Sequence, residues 1–309
     1  MLRLFRKPKY SIGMSIGDNA LTLVQMTENT DSVRLQAADS IEYPKDIQLG
    51  SPSWQRWTIE NLTKSIEHGQ FQGSKVIAAL PPSEMFIDTL KISQKAERKL
   101  DDIIRDHLKR KNIVPDNMLI KYFEADTENI LVMASDKTRL YRDLAIYEKA
   151  YLEVVALSAW PMANQKAYKH FWARRSGQDD ESVMLLDIEN SYTYIVICDS
   201  STVYFAYASP VGAQKLESER MVDLLNSEMD MCRVKFRSIY RGCHVNHLIF
   251  VSGHTIDKNI YTEIATRAQM QAQIGDCLEA VGVSRHDQAA LKSHAPHANW
   301  ITAVGLSIS

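Results

Sequence analysis

Ser11 to Met26, SIGMSIGDNALTLVQM, reads as two apolar strands folded over a polar tip, Gly17-Asp18-Asn19. Asn and Asp beside glycine between apolar runs are the residues a tight hairpin demands. A related stretch recurs from Val183 to Tyr207, VMLLDIENSYTYIVICDSSTVYFAY: an apolar strand, a polar turn at Glu189-Asn190-Ser191, then two further strands. Two copies this far apart are too widely spaced for a solenoid. They predict two similar half-molecules facing each other, with the cleft between them as the place for a ligand.

Outward from the first hairpin, Ser32 to Ile41 adds a third strand, and Trp54 and Trp57 fall in the connection that follows. A helix is expected from about Thr58, as N-cap, with Ile59, Leu62 and Ile66 on one face and Gly69 as its stop. Lys75 to Leu80 is a short apolar run suited to a buried strand, closed by Pro81-Pro82. These elements make an α/β domain. Beyond the prolines come a strand at Met85 to Ile92 and a charged helix at Gln94 to Lys111, with Leu100, Ile103, Ile104 and Leu108 as its apolar stripe. Two strands follow, Leu119 to Glu124 and Ile130 to Ala134, then a helix with Leu140, Leu144, Tyr147 and Tyr151 in register. Residues 82–155 are thus expected to form a small α+β subdomain inserted in the first half, and such insertions often carry function.

A strand at Val154 to Leu157, a helix at Trp160 to Ala173 and a polar linker at residues 176–180 close the first half, taken as 1–178, with 179–309 as the second. In the second half, Pro210-Val211-Gly212 leads into a long helix using Leu216, Val222, Leu225, Met229 and Cys232. Asn246 to Val251 is a buried strand ending at Ser252-Gly253-His254, a helix starts near Asp257, and Trp300 to Ile308 is apolar enough to pack into the second core.

Composition narrows the function. The 309 residues are 45% hydrophobic with a formal net charge of −2, which fits a folded protein and gives no electrostatic reason to expect nucleic acid. Four scattered cysteines, Cys198, Cys232, Cys243 and Cys277, make neither a disulfide framework nor a thiolate zinc site. Cys243, His244 and His247, or His294 and His297, offer no four-ligand metal pattern. No apolar run reaches the roughly 20 residues of a membrane span, and no signal peptide is evident; a cytoplasmic location is expected. The opening MLRLFRKPK reads as a solvated tail, or as a weak contact with an anionic membrane face at about 1 kcal/mol per basic residue. Hydrolase, P-loop and Rossmann signatures are missing.

The order Ile12-Gly13-Met14-Ser15-Ile16-Gly17, Leu186-Asp187-Ile188, Val251-Ser252-Gly253 and Ala303-Val304-Gly305-Leu306 resembles the actin-like ATPase superfamily, an α/β, ribonuclease H-like two-domain fold. The inserted segment ending Val132-Met133-Ala134-Ser135 is most similar to the PilM family of type IV pilus assembly. The resemblance implies a first phosphate turn at Ser15, Gly17, Asp18 and Asn19, and a second at Asp187, Glu189, Ser191 and Thr193. Gly212 is placed beside them, and Ser252, Gly253 and His254 form an adenosine contact. Backbone N–H groups in such turns form a donor nest for phosphate, and a nearby carboxylate holds hydrated magnesium. Three departures weaken this: the family pattern has aspartate at Ser15, glycine at Glu189 and glycine at His254. One lost charge-assisted contact costs about 1.5 to 3 kcal/mol, or roughly ten- to a hundredfold in affinity. The expectation is weak or absent ATP/ADP binding with Mg, little hydrolysis, and no catalytic residue or resident metal.

By the same resemblance, the protein is expected to be a cytoplasmic scaffold, peripheral to the inner membrane through a partner. That partner would be the N-terminal cytoplasmic peptide of a PilN-like inner-membrane protein, with pilus motor components or a second copy of the chain as further candidates. The matching surface is Leu80, Pro81, Met85, Leu119 and Ile120, using apolar pockets or main-chain pairing. An active ATPase or filament former of the FtsA type is the alternative; a sugar-kinase-like enzyme would need a catalytic aspartate that cannot be assigned. GspL-like secretion proteins are close relatives that carry a membrane span.

Overall fold

The first strand, β1 (Ile12–Ile16), is buried at all five positions, as a strand covered on both faces must be. It pairs antiparallel with β2 (Ala20–Asn29), which pairs antiparallel with β3 (Ser32–Glu42), so the first hairpin forms as its sequence requires. On its other side β1 runs parallel to β4 (Lys75–Ala79), which is parallel to β8 (Glu153–Ser158). The resulting sheet has the order β3-β2-β1-β4-β8. The second half repeats it. There β9 (Ser182–Ile188), β10 (Thr193–Cys198), β11 (Val203–Ser209), β12 (Val245–Phe250) and β13 (Gln271–Ile274) give the order β11-β10-β9-β12-β13, again a three-stranded meander with two parallel strands added. The computed structural model describes residues 10–29, 32–92, 99–173, 181–251, 256–283 and 300–309; the basic N-terminal stretch, the 176–180 linker, Ser252 to His254, His294 and His297 lie outside them.

Helix α1 (Pro52–His68) begins six residues before the expected Thr58. Ser51 is its cap: the Ser51 hydroxyl accepts from the Trp54 N–H at 3.2 Å and Pro52 occupies the first turn, where its missing N–H costs nothing. Trp54 and Trp57 are therefore helical, and Thr58 lies buried in mid-helix. Gly69 ends the helix as expected.

Between β4 and β8 the chain builds a third sheet, ordered β5-β7-β6, from β5 (Met85–Lys91), β6 (Met118–Glu124) and β7 (Asn129–Asp136). Helix α2 (Leu100–Arg110) packs Ile104 and Leu108 against Ile130 and Val132 on one face of this sheet. Helix α3 (Lys137–Lys149) instead sends Ile146 and Tyr147 into the core of the first sheet, and β8 is a strand of that sheet. The inserted unit thus spans about 82–136 rather than 82–155. Tyr151 lies beyond α3 in a left-handed turn and is exposed, so it is not part of that helix's buried stripe.

Helix α4 (Trp160–Tyr168) leads out of the first half through a π-helical turn, Lys169–Ala173. In the second half follow α5 (Glu219–Ile239), α6 (Lys258–Ala268), capped by Asp257, and the short α7 (Cys277–Ala280). The closing segment forms α8 (Trp300–Ser307), and its placement departs from expectation. It packs on α4, β1 and β2 of the first half rather than into the second core alone. Small residues permit the approach: a Cβ on Gly305 would lie 1.9 Å from the Ala163 carbonyl oxygen, and one on Gly13 would lie 2.1 Å from that of Ala303. The Ser307 hydroxyl accepts from the Met26 N–H and donates to the Ser11 carbonyl, both at 3.0 Å. Trp300, Ile301 and Val304 join one buried cluster with Val24 and Met26 from the first half and Leu185 and Val196 from the second.

Candidate functional site

The pseudo-repeat brings the two polar turns face to face. On the first, the Gly17 N–H closes the hairpin on the Ala20 carbonyl at 2.9 Å. On the second, the Glu189 N–H closes on the Tyr192 carbonyl at 2.8 Å. Ser15 is buried on β1, and Asp187 is buried on β9 opposite Tyr194. Thr193 donates its hydroxyl to the Val211 carbonyl at 2.6 Å, which fixes the 210–212 loop against the second turn. A Cβ on Gly212 would lie 2.4 Å from the Asn190 carbonyl oxygen, so only glycine admits this loop. Ser191 accepts from the Gln214 side chain at 3.0 Å.

Between the turns stands Tyr194. Its hydroxyl donates to Asp18, which also accepts from Ser83, and the Asn19 amide reaches Glu189 at 3.5 Å. The Trp160 ring tilts against Tyr194 with centroids 5.1 Å apart. Burial, then the carboxylates of Glu189 and Asp18, hold the Tyr194 phenol far above its ordinary range, so it remains a donor. Glu189 itself is only 4% exposed. Sequence reasoning missed Tyr194, Ser83 and Trp160. A tyrosine inside a buried strand was the available signal, because its hydroxyl must find a partner. Among the described residues no group of three or more His, Cys, Asp or Glu is placed to hold a metal ion.

A second feature lies where the inserted sheet meets the first half: a groove of about 240 Å³. Leu80 and Met85 line it, with Leu119, Lys121 and Phe123 from β6, Met133 from β7, Leu157 from β8, and Met162 and Lys166 from α4. Alternate residues of β6 share a face, so Ile120 turns away and packs with the α2 cluster; it is not part of the groove, a correction to the expected surface. Pro81 is buried and does not line the groove either, a second correction to the expected surface. Both β6 and β8 are edge strands of their sheets, and Tyr122, Phe123, Val155 and Leu157 are exposed on them. Among the described residues no helix is long and apolar enough to cross a membrane.

Paired five-stranded sheets built on one repeated topology, with polar hairpin turns opposed across a cleft, define the actin-like ATPase fold. The chain has this fold in its PilM-like form, with a sheet inserted in the first half. It aligns with the structure of a PilM-PilN type IV pilus biogenesis complex at a TM-score of 0.77 and 15% identity, over 96% of this chain and 97% of that one. It is also similar to the cytoplasmic domain of EpsL, an inner-membrane component of the type II secretion system of Vibrio cholerae (TM-score 0.52, 10% identity, 91% and 95% covered). A third likeness is to the ethanolamine utilization protein EutJ from Carboxydothermus hydrogenoformans (TM-score 0.51, 12% identity, 97% and 90% covered). No family model and no curated protein matches the sequence.

Proposed function

We propose that this protein is a cytoplasmic assembly scaffold of a type IV pilus or related secretion machine, held at the inner membrane by a PilN-like protein whose N-terminal peptide it binds, and working with a degenerate nucleotide cleft. The groove between the inserted sheet and α4 carries the reading. It offers apolar floor residues, an edge strand on either side for main-chain pairing with an extended peptide, and Lys121 and Lys166 in its lining. The fold shared with a PilM-PilN complex and with EpsL supports it.

The test is fluorescence anisotropy with the labelled N-terminal peptide of the PilN-like protein from the same organism. Binding by the intact protein is expected, weakened at least tenfold by Phe123→Glu or Leu119→Glu and unchanged by Ile120→Ala, because Ile120 faces α2. Equal affinities for all variants would place the peptide elsewhere, and no binding at all would remove the partner.

A further inference from the structure

We propose that the cleft between the halves is latched shut by the protein's own side chains, with Tyr194 and Asp18 making across the cleft the link that a bound nucleotide would otherwise make. The residues present do not fit a polyphosphate. The two amides that head the turns, Gly17 and Glu189, are spent closing their own hairpins on Ala20 and Tyr192. The buried Glu189 carboxylate sits in the second turn, where phosphate oxygens would need donors. Asp18 is committed to two hydroxyls, one from each side of the cleft: Ser83 from the first half and Tyr194 from the second.

The latch is built rather than incidental. Tyr194 is 1% exposed and its ring is supported on Trp160, the first residue of α4, so the phenol has one direction to point. Its proton is retained at any physiological pH, which keeps it a donor to the Asp18 carboxylate, and hydrogen bonds to a charged acceptor are the stronger kind. Asn19 and Glu189 add a second, longer contact from the same pair of turns. Ser83 extends the link. It lies in the 3₁₀ turn Pro82–Glu84 that hands the chain to β5, and the next residue, Met85, lines the peptide groove. The closed arrangement is therefore continuous from the cleft to the start of the inserted sheet.

This goes further than the degenerate cleft of the proposed scaffold, and its test is independent of peptide binding. Thermal unfolding of the full chain is followed with and without millimolar Mg-ATP for the wild type, Asp18→Ala, Tyr194→Phe and the double variant. Tyr194→Phe keeps the ring on Trp160 and removes only the hydroxyl, so it should fold. The expected result is a fall in Tm of roughly 2 to 6 °C for either single variant. The double variant should fall no further than the worse single one, and Mg-ATP should leave the wild-type Tm unmoved. Additive losses in the double variant, or a single-variant Tm equal to wild type, would show that the two side chains are not coupled and overturn the latch. A wild-type Tm raised by Mg-ATP would show that nucleotide enters the cleft and overturn it equally.

Discussion

Asp143 is the residue at which protonation and folding are most openly linked. Its side chain is 1% exposed on α3, and burial lifts its carboxyl to about 6 against the partial relief of Arg142, which donates to it at 2.8 Å. Unfolded, the same carboxyl titrates near 4. Between roughly pH 4 and pH 6 the native state therefore binds a proton that the unfolded state has lost, and stability falls as pH rises through that window. The difference is on the order of 2 to 3 kcal/mol. Asparagine at 143 mimics the protonated form, and Arg142 would keep its second partner, Glu84, at 2.7 Å. Asp143→Asn is thus expected to stabilise the protein by about 1 to 2 kcal/mol at pH 7.5 and to lose that advantage near pH 4. Urea titrations at the two pH values would show it; a destabilised variant at pH 7.5 would mean that the ion pair outweighs burial.

At the scale of elements the opposite sign appears. Asp88 on β5 accepts from Lys111 at 3.0 Å, contacts His107 at 3.1 Å and reaches Lys235 of α5 at 3.0 Å, so one carboxylate ties the inserted sheet to the second half. Burial alone would push this carboxyl up, but the bonds from Lys111 and Lys235 outweigh it and hold it below the ordinary carboxylate range. Its contribution is present above about pH 4 and is lost as pH falls through the lowered native value. Asp88→Asn leaves the surrounding cations uncompensated and is expected to cost about 2 to 3 kcal/mol at pH 7 and less at pH 3, where the native carboxylate begins to protonate. An equal cost at both pH values would mean that packing, not charge, makes this junction.

The elements also show what the sequence could reveal. The two hairpins were legible because strand periodicity and polar tips coincide there. The start of α1 was not, because Trp54 and Trp57 read as loop aromatics until Ser51 and Pro52 are recognised as the cap. The apolar run of α8 announced burial but not its partner, since hydrophobicity is non-directional; Gly13 and Gly305 held that information as mutual close approach. In the cleft, the turns followed from sequence, while the Tyr194 to Asp18 link joins residues 176 apart and has no local signature.

For the whole molecule these contacts decide whether two halves behave as two domains. Repeated sheets suggest independent units, yet one buried cluster draws on β2, β9, β10, α4 and α8 together. Helix α8, last in the chain, is tied to the first hairpin through Ser307 and to α4 through a Thr302 hydroxyl donating to Asn164 at 2.8 Å. A half that unfolded alone would expose this shared apolar surface at about 25 cal/mol per Å² and forfeit the latch and the Asp88 junction as well. The halves should therefore unfold in one cooperative transition. Trp54 reports from the core of the first half, while Trp160, Trp172 and Trp300 report from the shared core. A variant retaining only Trp54 and another retaining only Trp300 are expected to give coincident denaturation curves, matching far-UV circular dichroism. Val304→Ala should move every probe to lower denaturant by the same amount, consistent with a loss of about 1 to 2 kcal/mol for a buried valine. Curves that separate, with Trp54 shifted from Trp300, would mean that the first half keeps its structure after the shared core has opened.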